Sequence, residues 1–327
     1  MNPADLSRSV VRALRCAVED GELAVEVPER VVVERTRPGG VGEYATPVAF
    51  KVAKGAGVKP AEVAEVLARR LAGEAGISDV AVTGAGFLNF TLERSGAAAL
   101  VERALRDGRS YGRSYGSADT TDRAADVPAG AGPRERAVLG AVLRIAAAQG
   151  LAVHAHGHPR PDAVAPVARR DGDVEARYGA GAARWAMLAV GPRETPVFGD
   201  LLLVQDESNE FFRVLYARSR CAALTRNAAL LGFTAEPGDV DAPALLGALA
   251  DHPMALEAAA HHREPDRLLR QLVVVADALL DFQYTVLPVG DEKPGAAHRA
   301  RLALAEAAGT VLAGGLALLG IDAPELI

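Results

Sequence analysis

From Gly181 onward the sequence is a nearly unbroken series of segments whose apolar residues recur at helical spacing. The segments are Ala182–Val190, Leu201–Leu231, Ala242–Ala250, Met254–His262, Pro265–Tyr284 and Ala296–Leu319, separated by short breaks marked by Pro or Gly. In the longest, Leu203, Phe211, Leu215, Ala222 and Ala229 keep one repeating face. Helical segments that each carry an apolar stripe must bury those stripes against one another. An all-α helical bundle over 178–327 is therefore the expected architecture of this part. No repeat of the kind that builds a solenoid is present.

The first part reads differently. Leu6, Val10, Leu14 and Val18 recur every four positions over a helix at 4–20, with Gly21 as its stop. Arg8, Arg12 and Arg15 lie on another face of it, as a solvated face or a stripe for phosphates. A short strand is predicted at Val31–Glu34 and a helix at Ala61–Leu71, with Pro60 suited to its first turn. Val80–Val82 and Phe87–Leu92 read as strands joined by the turn Gly84-Ala85-Gly86. Ser95 can cap a helix running to about Arg106. Residues 1–110 thus read as an α+β domain. The next 67 residues, 111–177, begin as a Gly-, Ser-, Asp- and Pro-rich linker. They then hold one helix at 135–149, closed by Gly150, and a strand at Leu151–His154.

Half of the 327 residues are hydrophobic and 24% are charged, which excludes global disorder. No segment is expected to span a bilayer, and the charged residues among the first 18 rule out a secretory signal. Cys16 and Cys221 form no disulfide framework or metal spacing, so a cytoplasmic protein with reduced thiols is expected. Net charge is −6, and it is uneven. Residues 1–110 hold 15 basic and 15 acidic side chains, 111–177 hold 9 and 8, and 178–327 hold 12 and 19. Contact with nucleic acid would have to use local basic clusters. Only four basic residues are Lys and 32 are Arg, which with abundant Ala and Gly reads as a GC-rich coding bias.

No catalytic signature is present. There is no phosphate-binding loop of the Walker type, and Gly84-Ala85-Gly86 opens no long helix, so no cofactor site is expected. His154, His156 and His158 alternate and would share one side of a strand. Three imidazoles can bind zinc, but no fourth ligand or acidic support is at hand, so no metal site is expected. His261 and His262 cannot point the same way on a helix, and Cys221 lies among apolar neighbours and reads as packed. Tyr216 and Arg220 lie four apart, and Arg263, Arg267 and Arg270 lie at spacings of four and three. Tyr and Arg are the side chains that stack on unpaired bases and hold phosphates.

The order of several short motifs resembles that of arginyl-tRNA synthetases. Gly42-Glu43-Tyr44-Ala45-Thr46, Val48-Ala49, Lys59-Pro60-Ala61-Glu62-Val63-Ala64 and Gly84-Ala85-Gly86-Phe87-Leu88-Asn89-Phe90 resemble the N-terminal additional domain of that family, over residues 25–95. Residues 181–327 resemble its DALR anticodon-binding domain. The matching stretches are Ala182-Ala183-Arg184-Trp185, Ser208-Asn209, Tyr216-Ala217-Arg218-Ser219-Arg220, Arg263-Glu264-Pro265-Asp266-Arg267-Leu268, Arg301-Leu302-Ala303-Leu304, and Leu318-Leu319-Gly320-Ile321-Asp322-Ala323-Pro324-Glu325. The resemblance implies contact of the first domain with the tRNA elbow, through Tyr44, Phe87 and Asn89. It implies contact of the second with the anticodon region, through Tyr216, Arg220, Arg263, Arg267 and Arg270. Arg218 stands where the family has histidine, and Leu326-Ile327 where it has Arg-Met.

Between the two lies the departure. A synthetase of this class carries a nucleotide-binding fold there, and 111–177 leaves room only for a short degenerate α/β remnant. Ala137-Val138-Leu139-Gly140 resembles the helix after the ATP-binding His-Ile-Gly-His motif, which would fall at Gly130-Ala131-Gly132-Pro133, without either histidine. The lysine loop is replaced by Ala168-Arg169-Arg170-Asp171-Gly172-Asp173. Nothing is left to stabilise charge on a pyrophosphate leaving group. The expected function is non-catalytic tRNA binding or delivery, with tRNA and a tRNA-dependent enzyme as partners and no membrane. The alternatives are a protein-interaction scaffold that lost RNA affinity and, further off, ligase activity with a separate catalytic subunit.

Overall fold

A computed structural model describes residues 3–28, 31–36, 39–92, 97–113, 130–151 and 163–322. The chain divides into two compact units, Met1–Gly96 and Ala97–Ile327.

The first unit contains helix α1 (Pro3–Glu19), strands β1 (Glu34–Arg35) and β2 (Tyr44–Thr46), helices α2 (Val48–Ala56) and α3 (Pro60–Leu71), and strands β3 (Ile77–Thr83) and β4 (Phe87–Leu92). The four strands form one antiparallel sheet in the order β1-β2-β4-β3. Of the predicted α1 face, Leu6, Val10 and Leu14 are fully buried and Val18 is half-buried. The face packs towards α3, whose Val63, Leu67 and Leu71 are buried in turn. Burial of each such side chain contributes roughly 1.5–3 kcal/mol. Strand β2 and helix α2 were not legible from the periodicity. The strand expected at 31–34 shrinks to the two residues of β1. The carbonyls of Val31 and Val32 bond to side chains instead, accepting from Ser7 Oγ and Thr46 Oγ1, both at 2.6 Å.

The second unit contains α4 (Ala97–Asp107), α5 (Pro133–Ala148), α6 (Val174–Tyr178), α7 (Ala180–Leu188), α8 (Glu210–Leu230), α9 (Pro243–His262), α10 (Pro265–Phe282) and α11 (Ala296–Leu319). The boundary expected near residue 110 falls at 96/97. Val101 and Ala104 of α4 join the core of the helical unit, where α4 packs on α9 and α11. The intervening segment does not stand apart either, because α5 is buried on nearly every side and packs against α7, α9, α10 and α11. Residues 152–154 of the strand expected at 151–154, the capping Ser95, the three alternating histidines and Ala323-Pro324-Glu325 lie outside the described residues.

Three other expectations are corrected. Leu201–Leu231 is not one helix. A 3-10 turn at Asp200–Leu203 is followed by a break, and α8 starts afresh where Asn209 Oδ1 accepts from the Phe211 and Phe212 amides at 3.0 and 3.3 Å. The break expected between Ala250 and Met254 is absent, and α9 runs through Pro253. A proline inside a helix cannot supply the N–H that the carbonyl four residues earlier requires. Here the Tyr111 hydroxyl donates to that carbonyl, of Leu249, at 3.1 Å. Lastly, α11 is long and apolar enough by composition to cross a membrane, contrary to the sequence reading. In this fold 83% of its apolar window is buried, and it forms the centre of the bundle.

Candidate nucleic-acid interface

The expected contact residues of the first unit separate into framework and surface. Gly42 has φ of 72°, and a methyl group there would lie 2.8 Å from the Phe90 carbonyl oxygen. Gly86 has φ of 137° and would meet Pro60 at 2.9 Å. These glycines let the backbone close up. Asn89 is buried, and its amide donates to Thr83 Oγ1 at 2.7 Å across the β3–β4 hairpin. Tyr44 is buried on β2, with the Arg35 guanidinium 5.9 Å from its ring centre. Neither Tyr44 nor Asn89 presents a surface for a base, because the sheet consumes both. Phe87 alone is exposed, at 44%, and its ring tilts against Phe50 at 4.8 Å.

The lysines, passed over as a matter of codon usage, matter here. Three of the chain's four, Lys51, Lys54 and Lys59, lie on α2 and the N-cap of α3, and all three are exposed. Phe50 precedes Lys51, and Pro60, which abuts Gly86, follows Lys59. No acidic residue occurs between Glu43 and Glu62, and no ion pair of these lysines exists among the described residues. An aromatic pair bordered by three exposed ammonium groups is the combination that tracks a phosphate backbone and stacks on a base. The sequence signal was the clustering of a rare residue type within an acid-free stretch.

In the helical unit the expected residues do not form one surface. Arg213 bridges both carboxylate oxygens of Asp277 at 2.8 and 3.2 Å, and Arg220 Nε donates to Gln283 Oε1 at 2.7 Å, so α8 and α10 run parallel. In that register Tyr216 lies beside the C-terminal part of α10, roughly 15–20 Å along the axis from Arg270 and Arg267 at 1.5 Å per residue. The basic set near the start of α10 is also largely neutralised. Arg267 pairs with Glu264 at 2.6 Å, and Arg270 pairs with Asp266. Burial holds the Asp266 carboxyl above its usual range. Arg263 caps α9 in the left-handed region, with φ of 58°, and lines a cleft of about 360 Å³ with Arg193, Glu194, His262 and Glu264.

Tyr216 and Arg220 keep better company. The Tyr216 ring stacks on Phe212 at 5.8 Å and 12°. After α10, a 3-10 turn over Gln283–Thr285 presents Tyr284 at 79% exposure. Arg301 donates to the Thr285 carbonyl at 3.1 Å, so Arg220 and Arg301 flank the turn. Sequence reasoning missed Tyr284, because an aromatic residue at a helix end carries no periodic signal. Arg218 faces inward and is buried.

Elsewhere the chemistry is quiet. Cys221 is packed against α11, its thiol donating to the Ala305 carbonyl at 3.0 Å, and burial pushes its pKa up to about 12. Among the described residues no group of three or more His, Cys, Asp or Glu side chains could hold a metal ion. Gly132 and Pro133, where an ATP-binding motif would end, serve as N-cap and first residue of α5. Asp173 caps α6, accepting from the Ala176 amide at 3.0 Å.

Comparison with known proteins fits this division. Residues 4–92 match the family described as the arginyl tRNA synthetase N-terminal domain, and residues 214–327 match the DALR anticodon binding domain. A small α+β domain of the first kind and a helical domain of the second define the class of protein. The chain is homologous to arginyl-tRNA synthetase over its N- and C-terminal parts. It is 50% identical over 114 residues to the arginine–tRNA ligase of Frankia alni and 41% identical over 117 residues to that of Renibacterium salmoninarum. Each match covers 35% of this chain and 21% of the relative, so it spans about a fifth of the length of those relatives. The solved arginyl-tRNA synthetase of Thermus thermophilus shares the fold, with a TM-score of 0.57 at 15% identity and coverage of 100% of both chains.

Proposed function

We propose that this protein binds tRNA without aminoacylating it. The observation that carries the reading is the pair of surfaces, one in each unit, that set exposed aromatic rings beside basic side chains, the lysines of the first exposed and the arginines of the second half-buried. Phe87 with Lys51, Lys54 and Lys59 forms the first, and Tyr216 and Tyr284 with Arg220 and Arg301 forms the second. Both fall within the regions matched to the synthetase N-terminal and DALR domains. The absent histidine motif and lysine loop, and the use of α5 as a core helix, support the lack of ligase activity. Binding of this kind suits a cytoplasmic protein that hands tRNA to, or withholds it from, a separate enzyme.

The test is a titration of labelled tRNA against the full chain and against two charge-reversal variants, Lys51→Glu/Lys54→Glu and Arg220→Glu/Arg301→Glu. Each double variant should weaken binding at least tenfold, since about two phosphate contacts are lost and repulsion is added. The salt dependence should stay shallow, with a slope of log affinity against log salt no steeper than about −5. ATP–pyrophosphate exchange with arginine and tRNA should be absent. Wild-type protein that binds no tRNA at low salt would refute the reading and favour the scaffold alternative, which the 19 acidic against 12 basic residues of 178–327 would suit.

A further inference from the structure

The C-terminal end of α11 carries a charge arrangement that no carboxylate balances among the described residues. Arg144 of α5 donates from Nε to the Leu318 carbonyl at 2.8 Å, and Arg184 of α7 donates to the Gly320 carbonyl. Both side chains are half-buried. Gly320 closes the helix with φ of 73°. A methyl group on it would lie 2.5 Å from Arg144 Nη2 and 3.0 Å from Arg184 Nη1. The two guanidinium ends therefore converge on one point and lie within about 5.5 Å of each other. Among the described residues neither arginine has a carboxylate partner. Burial and the neighbouring Arg184 charge push the Arg144 pKa down to about 10.

Helix capping accounts for part of this. The last carbonyls of α11 accept one bond from each arginine, and a helix C-terminus carries roughly half a negative charge. Two guanidinium groups bring two positive charges, which leaves about one and a half uncompensated. A guanidinium has five N–H donors, and each arginine spends only one here. Half-buried like charges held together, with donors to spare, make a receptor for an anion. A phosphate monoester or inorganic phosphate carries about 1.5 to 2 negative charges near neutral pH, which fits the surplus. A carboxylate or a phosphodiester carries one.

We propose that Arg144 and Arg184, at the Gly320 corner, form a binding site for a phosphate dianion. The site lies on α5, α7 and the end of α11, apart from the aromatic surface built on α8 and the turn after α10, and does not depend on RNA binding.

Isothermal titration of inorganic phosphate into the full chain, in chloride buffer, tests it. Saturable binding of about one phosphate per chain is expected below about 10 mM. Dimethyl phosphate, a singly charged diester, should bind at least tenfold more weakly. A nucleoside 5′-monophosphate distinguishes the source. Binding tighter than inorganic phosphate points to a nucleotide or RNA end, and equal binding to a small free phosphate. Both are compatible with the site. Arg144→Gln and Arg184→Gln should each weaken phosphate by at least about tenfold. Because either change could loosen the cap of α11, Arg184→Lys is the second variant. It keeps the charge and loses the planar fork, and should show intermediate affinity. The proposal is overturned by the absence of saturable phosphate binding to the wild-type chain. It is also overturned by affinity unchanged in the glutamine variants, or by equal binding of dimethyl phosphate.

Discussion

Removing the Tyr111 hydroxyl should cost stability because of a proline more than a hundred residues away. Pro253 lies inside α9 and cannot donate to the Leu249 carbonyl, and the Tyr111 hydroxyl does so instead at 3.1 Å. Both partners are shielded from water, with Tyr111 3% and Leu249 0% exposed. Tyr111→Phe keeps the ring, which stacks on His252 at 6.1 Å, and strands the carbonyl. A buried carbonyl left without a donor costs about 1–3 kcal/mol. Pro253→Ala returns a backbone N–H to the position that should have served Leu249. In that background Tyr111→Phe should cost less than about 0.5 kcal/mol, a coupling of at least about 0.5 kcal/mol between the two sites. The assay is urea unfolding followed by the fluorescence of Trp185, the chain's single tryptophan, which is buried in the same helical unit. Tyr111→Phe costing the same in both backgrounds would refute the reasoning, as would a variant as stable as the wild type.

Two further outcomes follow from buried charge. His252 is fully enclosed, with no partner for Nδ1, and burial lowers its pKa from 6.5 to about 4. The unfolded state therefore binds the proton first, and the stability held by the neutral ring is present above pH 6.5 and lost as pH falls towards 4. The loss should be about 2 kcal/mol between pH 7 and pH 5. The acids Asp266 and Glu306, whose pKa values are raised by burial, act in the opposite sense, so the comparison is with His252→Phe. A pH dependence equal in the two proteins would falsify the assignment. Arg134 is wholly buried and donates to the carbonyls of Ala165, Met187, Gly191 and Glu194. Arg134→Met leaves four carbonyls unserved and should cost about 3–5 kcal/mol in urea unfolding, less whatever is regained by not burying a charge; a loss under about 1 kcal/mol would mean that water replaces the guanidinium.

Much of the fold was legible because the evidence for it is local. The apolar positions of α1, α3 and α10 state their own period, and Gly21 and Gly150 mark stops that the backbone obeys. The short motifs carried the homology for the same reason. Gly42, Gly86 and Asn89 are held by backbone geometry, and such positions admit few residues. The same sheet buries Tyr44 and Asn89, to which the resemblance assigns RNA contact, and leaves Phe87 and the neighbouring lysines outside.

What the sequence determined by itself was a small α+β unit at the start and helices at the end, because propensity, periodicity and turn residues act over a few positions; that the middle segment joins the helices rather than standing apart came from packing. Tertiary structure decided which side chains remain available, because exposure and charge compensation depend on neighbours distant in the chain. Arg267 and Arg270 are spent on Glu264 and Asp266, and Arg213 on Asp277. Tyr284 projects from a turn that only the packing of α8 and α11 around α10 makes visible. Pro253 reads as a helix break and becomes a helix interior because a tyrosine from another segment supplies the missing donor. Arg144 and Arg184, forty residues apart in sequence, meet only because α5 and α7 converge on the end of α11.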